Sequence, residues 1–158
     1  MPADSDRGRA SAPSLPHTWR PFGVRIAVWV LGTMLLVLFG VVWIAIGADR
    51  RAEFTVLQLA TLLFMGVLLF GSWFGLVRSC VRATDAGLTV VNGYRTRTYE
   101  WSQVISVSLR RGAPWGTLDL SDGTTISLIG VQGSDGKRAR RAVRELRATI
   151  ASNTPGGN

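Results

Sequence analysis

Two long apolar runs dominate the first half of the chain, and a much shorter periodicity replaces them in the second. Ile26 to Ile46 (IAVWVLGTMLLVLFGVVWIAI) carries no charge, and Phe54 to Val77 (FTVLQLATLLFMGVLLFGSWFGLV) has Gln58 as its only strongly polar side chain. About 20 apolar residues suffice to cross roughly 30 Å of hydrocarbon. The pattern therefore predicts two transmembrane helices, with spans at about residues 24–46 and 54–77, forming a hairpin over 19–78 around a short loop from Gly47 to Glu53. The first run is longer than the roughly 7 to 15 residues of a signal-peptide core, so it is expected to be an uncleaved anchor.

From Ser79 the pattern changes to short β-prone runs separated by turn residues. Strands are predicted over 79–84, 88–92, 95–101, 105–111, 116–121 and 124–130, with turns at Asp85-Ala86-Gly87, Asn92-Gly93 and Asp122-Gly123. Asn-Gly is a strong two-residue hairpin signal because both residues tolerate positive φ. Six strands in succession imply an antiparallel meander. The last element, from about Asp135 to Ala151, places Ala139, Ala142, Val143, Leu146 and Ile150 at helical spacing, with Ser134 or Asp135 expected as N-cap. This amphipathic helix should cover one open face of the meander. Residues 1–18 and 152–158 lack apolar periodicity and read as disordered tails, leaving 79–151 as the globular domain.

Charge adds a direction to this layout. Residues 78–158 hold twelve of the 18 Lys and Arg side chains but only six of the ten acids. Arg20, Arg25, Arg78 and Arg82 flank the outer ends of the two runs, against Arg50 and Arg51 in the loop, so the positive-inside bias predicts a plasma-membrane protein with both termini cytoplasmic. Trp19, Trp43 and Trp73 fall where an aromatic belt is expected.

Cys80 is the only cysteine, which excludes an intrachain disulfide, and the only histidine, His17, falls in the expected N-terminal tail, so the folded part is expected to lack the bases and ligands of a Ser-His-Asp triad, a Cys-His pair or a Cys/His zinc site. No glycine-rich phosphate loop or metal-ligand spacing occurs, no cofactor is implied, and the reading is that of a non-enzyme. Glu100 and Asp119 are the carboxylates without an evident turn or cap role, and an enzyme would depend on them.

Several stretches resemble a known bacterial family: Asp85-Ala86-Gly87-Leu88, the third strand leading to Tyr99-Glu100-Trp101-Ser102-Gln103-Val104, Ala113-Pro114-Trp115 before Leu118-Asp119-Leu120-Ser121-Asp122-Gly123, and Ala142-Val143-Arg144-Glu145-Leu146-Arg147. They are similar to small actinobacterial membrane proteins with a bacterial pleckstrin-homology-like (PH-like) domain, of the low molecular weight protein antigen 6 type. The resemblance spans roughly residues 19–151 and implies six or seven antiparallel strands, as a β-barrel or sandwich, capped by one C-terminal helix. It brings no catalytic residues.

Lys137, Arg138, Arg140, Arg141, Arg144 and Arg147 crowd the last helix, two of them in the first turn, where cations oppose the helix dipole by about 0.3–1 kcal/mol each. Together with Arg95, Arg97, Arg110 and Arg111 they are candidate contacts for anionic lipid headgroups; a solvated helix face is the competing reading. Nucleic acid is not expected, because aromatic-interleaved reading motifs are missing. Trp115 is a candidate interface aromatic, if it does not pack back on the domain. Gly71 and Gly75 form a G-x-x-x-G on the second span and are candidates for helix packing. The functional expectation is a membrane-anchored binding or scaffolding module for a protein or an anionic lipid. The alternative is a structural subunit of a larger membrane complex whose specificity lies in the spans.

Overall fold

The computed structural model describes residues 12–154. They fall into two compact units, one of residues 23–77 and one combining residues up to Phe22 with those from Arg78 onward.

The first unit contains α1 (Phe22–Ala45), a short α2 (Gly47–Ala52) where a loop is expected from sequence, and α3 (Val56–Arg78). Both α1 and α3 are long and apolar enough to cross a membrane. Gln58, the polar exception in the second run, has a local job. Its Oε1 accepts from the backbone N–H of Thr55 at 2.9 Å, and its own N–H donates to Thr55 Oγ1 at 3.3 Å, a reciprocal cap that starts α3. The helices meet through aromatic rings. Trp29 and Trp73 pack edge to face at 5.2 Å, and Trp43 lies 5.7 Å from Phe54. A Cβ added to Gly32 would sit 2.7 Å from the Trp73 ring, so this glycine makes the room that the indole occupies.

The second unit is built on seven strands, β1 (His17–Trp19), β2 (Cys80–Thr84), β3 (Gly87–Asn92), β4 (Arg95–Tyr99), β5 (Val104–Ser108), β6 (Trp115–Leu120) and β7 (Thr125–Gln132), followed by α4 (Lys137–Asn153). All pairings are antiparallel, in a four-stranded sheet β1-β2-β3-β4 and a three-stranded sheet β5-β6-β7. The core between them comprises Val81, Leu88, Val90, Trp101, Val107, Leu118, Leu128 and neighbours, closed by Val143, Leu146 and Ile150 of α4. The sheets approach closely where Gly130 of β7 faces β2, and a Cβ there would lie 2.8 Å from the backbone of Cys80. Asn92 ties them together again. Its Nδ2 donates to Ser127 O at 2.6 Å, and its Oδ1 accepts from Ile129 N–H at 3.1 Å.

The structure moves several expected boundaries. His17 and Thr18, assigned by composition to a disordered tail, form β1 with Trp19, paired His17↔Ala83, Thr18↔Arg82 and Trp19↔Val81. Residues 1–11 of that tail lie outside the described residues. Trp19 is not an interface aromatic at the start of the hairpin but a core residue, 6% exposed, whose Nε1 donates to Glu145 Oε2 at 3.0 Å. The β3–β4 turn is Gly93-Tyr94 rather than Asn92-Gly93, with Gly93 at φ 61°, which releases Asn92 to bridge the sheets. Trp101 ends no strand. It opens a 3-10 turn over Trp101–Gln103 that Glu100 and Gln103 cap reciprocally, and its Nε1 donates to Thr84 O and Asp85 O. Helix α4 begins after Gly136, without a side-chain cap, and runs to Asn153, beyond the Ala151 limit; 155–158 of the expected tail are outside the described residues. Asp135 instead accepts from Phe22 N–H at 2.9 Å.

Candidate functional site

The ten candidate cations are distributed over three places. The first is the outer face of α4. Burying Ala139, Val143, Leu146, Thr149 and Ile150 turns Lys137, Arg138, Arg140, Arg141, Arg144 and Arg147 outward, and all six are exposed. Three of them have protein partners. Arg138 stacks its guanidinium over the Phe22 ring at 3.8 Å, Arg141 Nε donates to Glu145 Oε1 at 2.7 Å, and Arg147 Nε donates to Val107 O at 2.9 Å, fastening the helix to β5. The side chains of Lys137, Arg140 and Arg144 make no hydrogen bond or ion pair with any described residue.

Glu145 is the only acid on α4, and it does not neutralise this face. Its side chain is 16% exposed against 75% for Arg141, and one oxygen is taken by Trp19. Burial favours its neutral form, but the Trp19 N–H and the Arg141 guanidinium outweigh that and hold its pKa below the ordinary glutamate value of 4.5. With the one acid turned inward and occupied, α4 presents an uncompensated cationic surface.

The second place is β4, where Arg95 and Arg97 are exposed side chains of an edge strand. The third is the segment after β5, where Arg110 and Arg111 lead into a turn closed by Ala113 N–H to Arg110 O at 3.1 Å. Arg110 lies near Asp119, whose carboxyl is held below the usual aspartate range by hydrogen bonds from Ser106 (2.7 Å) and Thr125 (2.9 Å), with a smaller contribution from the Arg110 charge. Asp119 thus links β5, β6 and β7, and Glu100 caps the 3-10 turn; both carboxylates left unassigned from sequence serve local structure.

Trp115 is the first residue of β6, paired with Gln132 beside a bulge, and is 41% exposed. Gly75 is buried and Gly71 half-buried on α3, and Gly32 of α1 meets the facing Trp73 ring. Cys80 is buried in the core, 6% exposed.

Residues 78–149 match the family model described as Bacterial PH domain. With the two antiparallel sheets and the closing helix, that decides the fold. The globular unit is a PH-like domain. Such domains are generally non-catalytic. The chain is 34% identical over 91 residues to uncharacterised proteins of Mycobacterium bovis and of two strains of Mycobacterium tuberculosis, a stretch covering 58% of this chain and 59% of each relative. These relatives are actinobacterial, as the motif resemblance implied. No solved structure matches. Within the PH-like domain, sequence reasoning missed Trp19, Asn92 and Glu145. Glu145 was legible as the lone acid on a basic helix, but its partner Trp19 lies 126 positions away and left no local signal.

Proposed function

We propose that this chain is a non-catalytic, membrane-anchored binding module of the bacterial plasma membrane, with both termini and the PH-like domain on the cytoplasmic side and the outer face of α4 against anionic lipid headgroups. At about 1.5 Å per residue, α1 and α3 are each longer than the roughly 30 Å hydrocarbon layer. The observation that carries the lipid reading is the state of the α4 charges: the side chains of Lys137, Arg140 and Arg144 have no counter-charge among the described residues, and Glu145 is committed to Trp19 and Arg141. Lys137 and Arg138 also oppose the dipole of their own helix, a strain that an external anion relieves. Each cation within a Debye length of an anionic leaflet contributes on the order of 1 kcal/mol, so three add up to a useful orienting energy without a deep pocket.

The test is photo-crosslinking of the full chain in nanodiscs carrying photoactivatable phosphatidylglycerol or a neutral analogue. Peptides of α4 should be labelled by the anionic probe, and the Lys137→Ser, Arg140→Ser, Arg144→Ser triple variant should lose most of that labelling. Equal labelling by the neutral probe, or labelling that the triple variant leaves unchanged, would contradict the proposal.

A further inference from the structure

The two strand arginines Arg95 and Arg97 lie on the wrong side of β4 for ordinary solvated charges. The β3–β4 register sets Arg95 opposite Asn92, Arg97 opposite Val90 and Tyr99 opposite Leu88. Directly opposed residues share a face, and Leu88 and Val90 are 0% and 2% exposed, so Arg95, Arg97 and Tyr99 project from the core-side face. The outward face carries Thr96 and Thr98, and Thr98 exchanges a hydroxyl hydrogen bond with Thr89 at 3.1 Å. Because β4 is an edge strand, its core-side face is only partly covered. A groove of about 260 Å³ remains there, lined by Asn92, Arg95, Arg97, Tyr99, Thr125 and Ser127 among others.

Three features of this groove point to an anion. No carboxylate lines it. Neither arginine side chain has a hydrogen-bond or ion-pair partner among the described residues. The Tyr99 hydroxyl, on the wall of the groove, is buried and has no hydrogen-bond partner among the described residues, an unfavourable state that an acceptor in the groove would relieve. The wall is also rigid, since Asn92 is fixed by its two bonds to β7. Inward charges on an edge strand discourage sheet-to-sheet association, and that role alone accounts for the arginines but not for a sealed phenol without an acceptor.

We infer that this groove binds a phosphate monoester group, with the guanidinium forks of Arg95 and Arg97 on its oxygens and Tyr99 donating its hydroxyl. Two guanidinium cations match a monoester's charge of nearly two near neutral pH, and planar guanidinium groups suit bidentate contact with phosphate oxygens. The ligand chemistry is shared by inorganic phosphate and by a lipid bearing a terminal phosphate. The inference deepens the binding-module reading and rests on it only for a membrane source of the ligand.

The experiment uses the full chain in phosphatidylcholine nanodiscs, titrated with inorganic phosphate at constant ionic strength, and in parallel nanodiscs containing phosphatidic acid or phosphatidylglycerol. The thermal midpoint should rise with phosphate, or with phosphatidic acid by more than the rise that phosphatidylglycerol gives through α4, or with both. A rise with phosphate assigns a soluble source, and a rise with phosphatidic acid alone a lipid one. The Arg95→Gln, Arg97→Gln double variant should weaken binding at least about tenfold. Tyr99→Phe should raise the midpoint without ligand, because it removes an unsatisfied hydroxyl, and should shrink the ligand-induced rise. No rise with phosphate together with none from phosphatidic acid beyond that from phosphatidylglycerol, or a monoester-specific rise that persists in both variants, overturns the inference. If α4 labelling fails in the crosslinking experiment while this response holds, the lipid-facing helix is wrong and the groove stands.

Discussion

At the scale of single residues, Glu145 shows how one carboxylate serves both folding and surface charge. Held below 4.5, it contributes stability at every pH above that ordinary value, and the contribution disappears as pH falls through its lowered folded value. The chain should therefore lose stability on acidification below about pH 4.5, and Glu145→Gln should flatten that part of the profile while lowering stability at pH 7 by about 1–3 kcal/mol. Thermal unfolding across pH 3 to 7, followed by circular dichroism in detergent, measures both; an unchanged acid slope in the variant would mean that other carboxylates set it. The pairing also explains why the basic face of α4 was legible in sequence and its charge balance was not. Glu145 stands four residues from Arg141, as a surface ion pair would, and only the fold reveals that Trp19 claims its other oxygen.

Among the elements, the strands from β2 to β7 were legible because turn residues punctuate them. Their faces were less so. Arginines at 95 and 97 flatten the usual alternation of apolar and polar positions, so the core-side face of β4 cannot be recognised without the register that Leu88 and Val90 impose. Gly130 is a second case, a glycine inside an apolar strand whose reason lies on another strand. Its missing side chain lets β7 approach β2, so Gly130→Ala should push the sheets apart and lower stability by about 1–3 kcal/mol. The same change at Gly123, where a Cβ meets nothing within 4 Å but φ is 81°, should act through turn strain alone and leave near-ultraviolet aromatic signals unaltered. Equal loss of those signals in both variants would contradict this account of the sheet contact.

For the whole molecule, the unforeseen feature is that the two-helix hairpin interrupts the PH-like domain. Strands β1 and β2 are antiparallel neighbours with Trp19 opposite Val81, and the chain between them is the entire hairpin. Local periodicity could not find β1, because its three residues sit in a proline-rich stretch and acquire strand character only from a partner beyond both spans. A chain in which Pro21 is joined to Ser79 by a short Gly-Ser turn should therefore fold, whereas one beginning at Ser79 should lack Trp19 and be destabilised by about 3–5 kcal/mol. Identical unfolding of the two would show β1 to be dispensable.

The central claim is that two spans hold this domain on the inner surface of the plasma membrane, and cysteine accessibility in intact cells tests it directly. In a Cys80→Ala background, Asp49→Cys in α2 should react with a membrane-impermeant maleimide from outside, and Ser121→Cys in the exposed turn after β6 should react only after permeabilisation. Labelling of Ser121→Cys in intact cells, with Asp49→Cys protected, would place the domain on the opposite side and contradict the account.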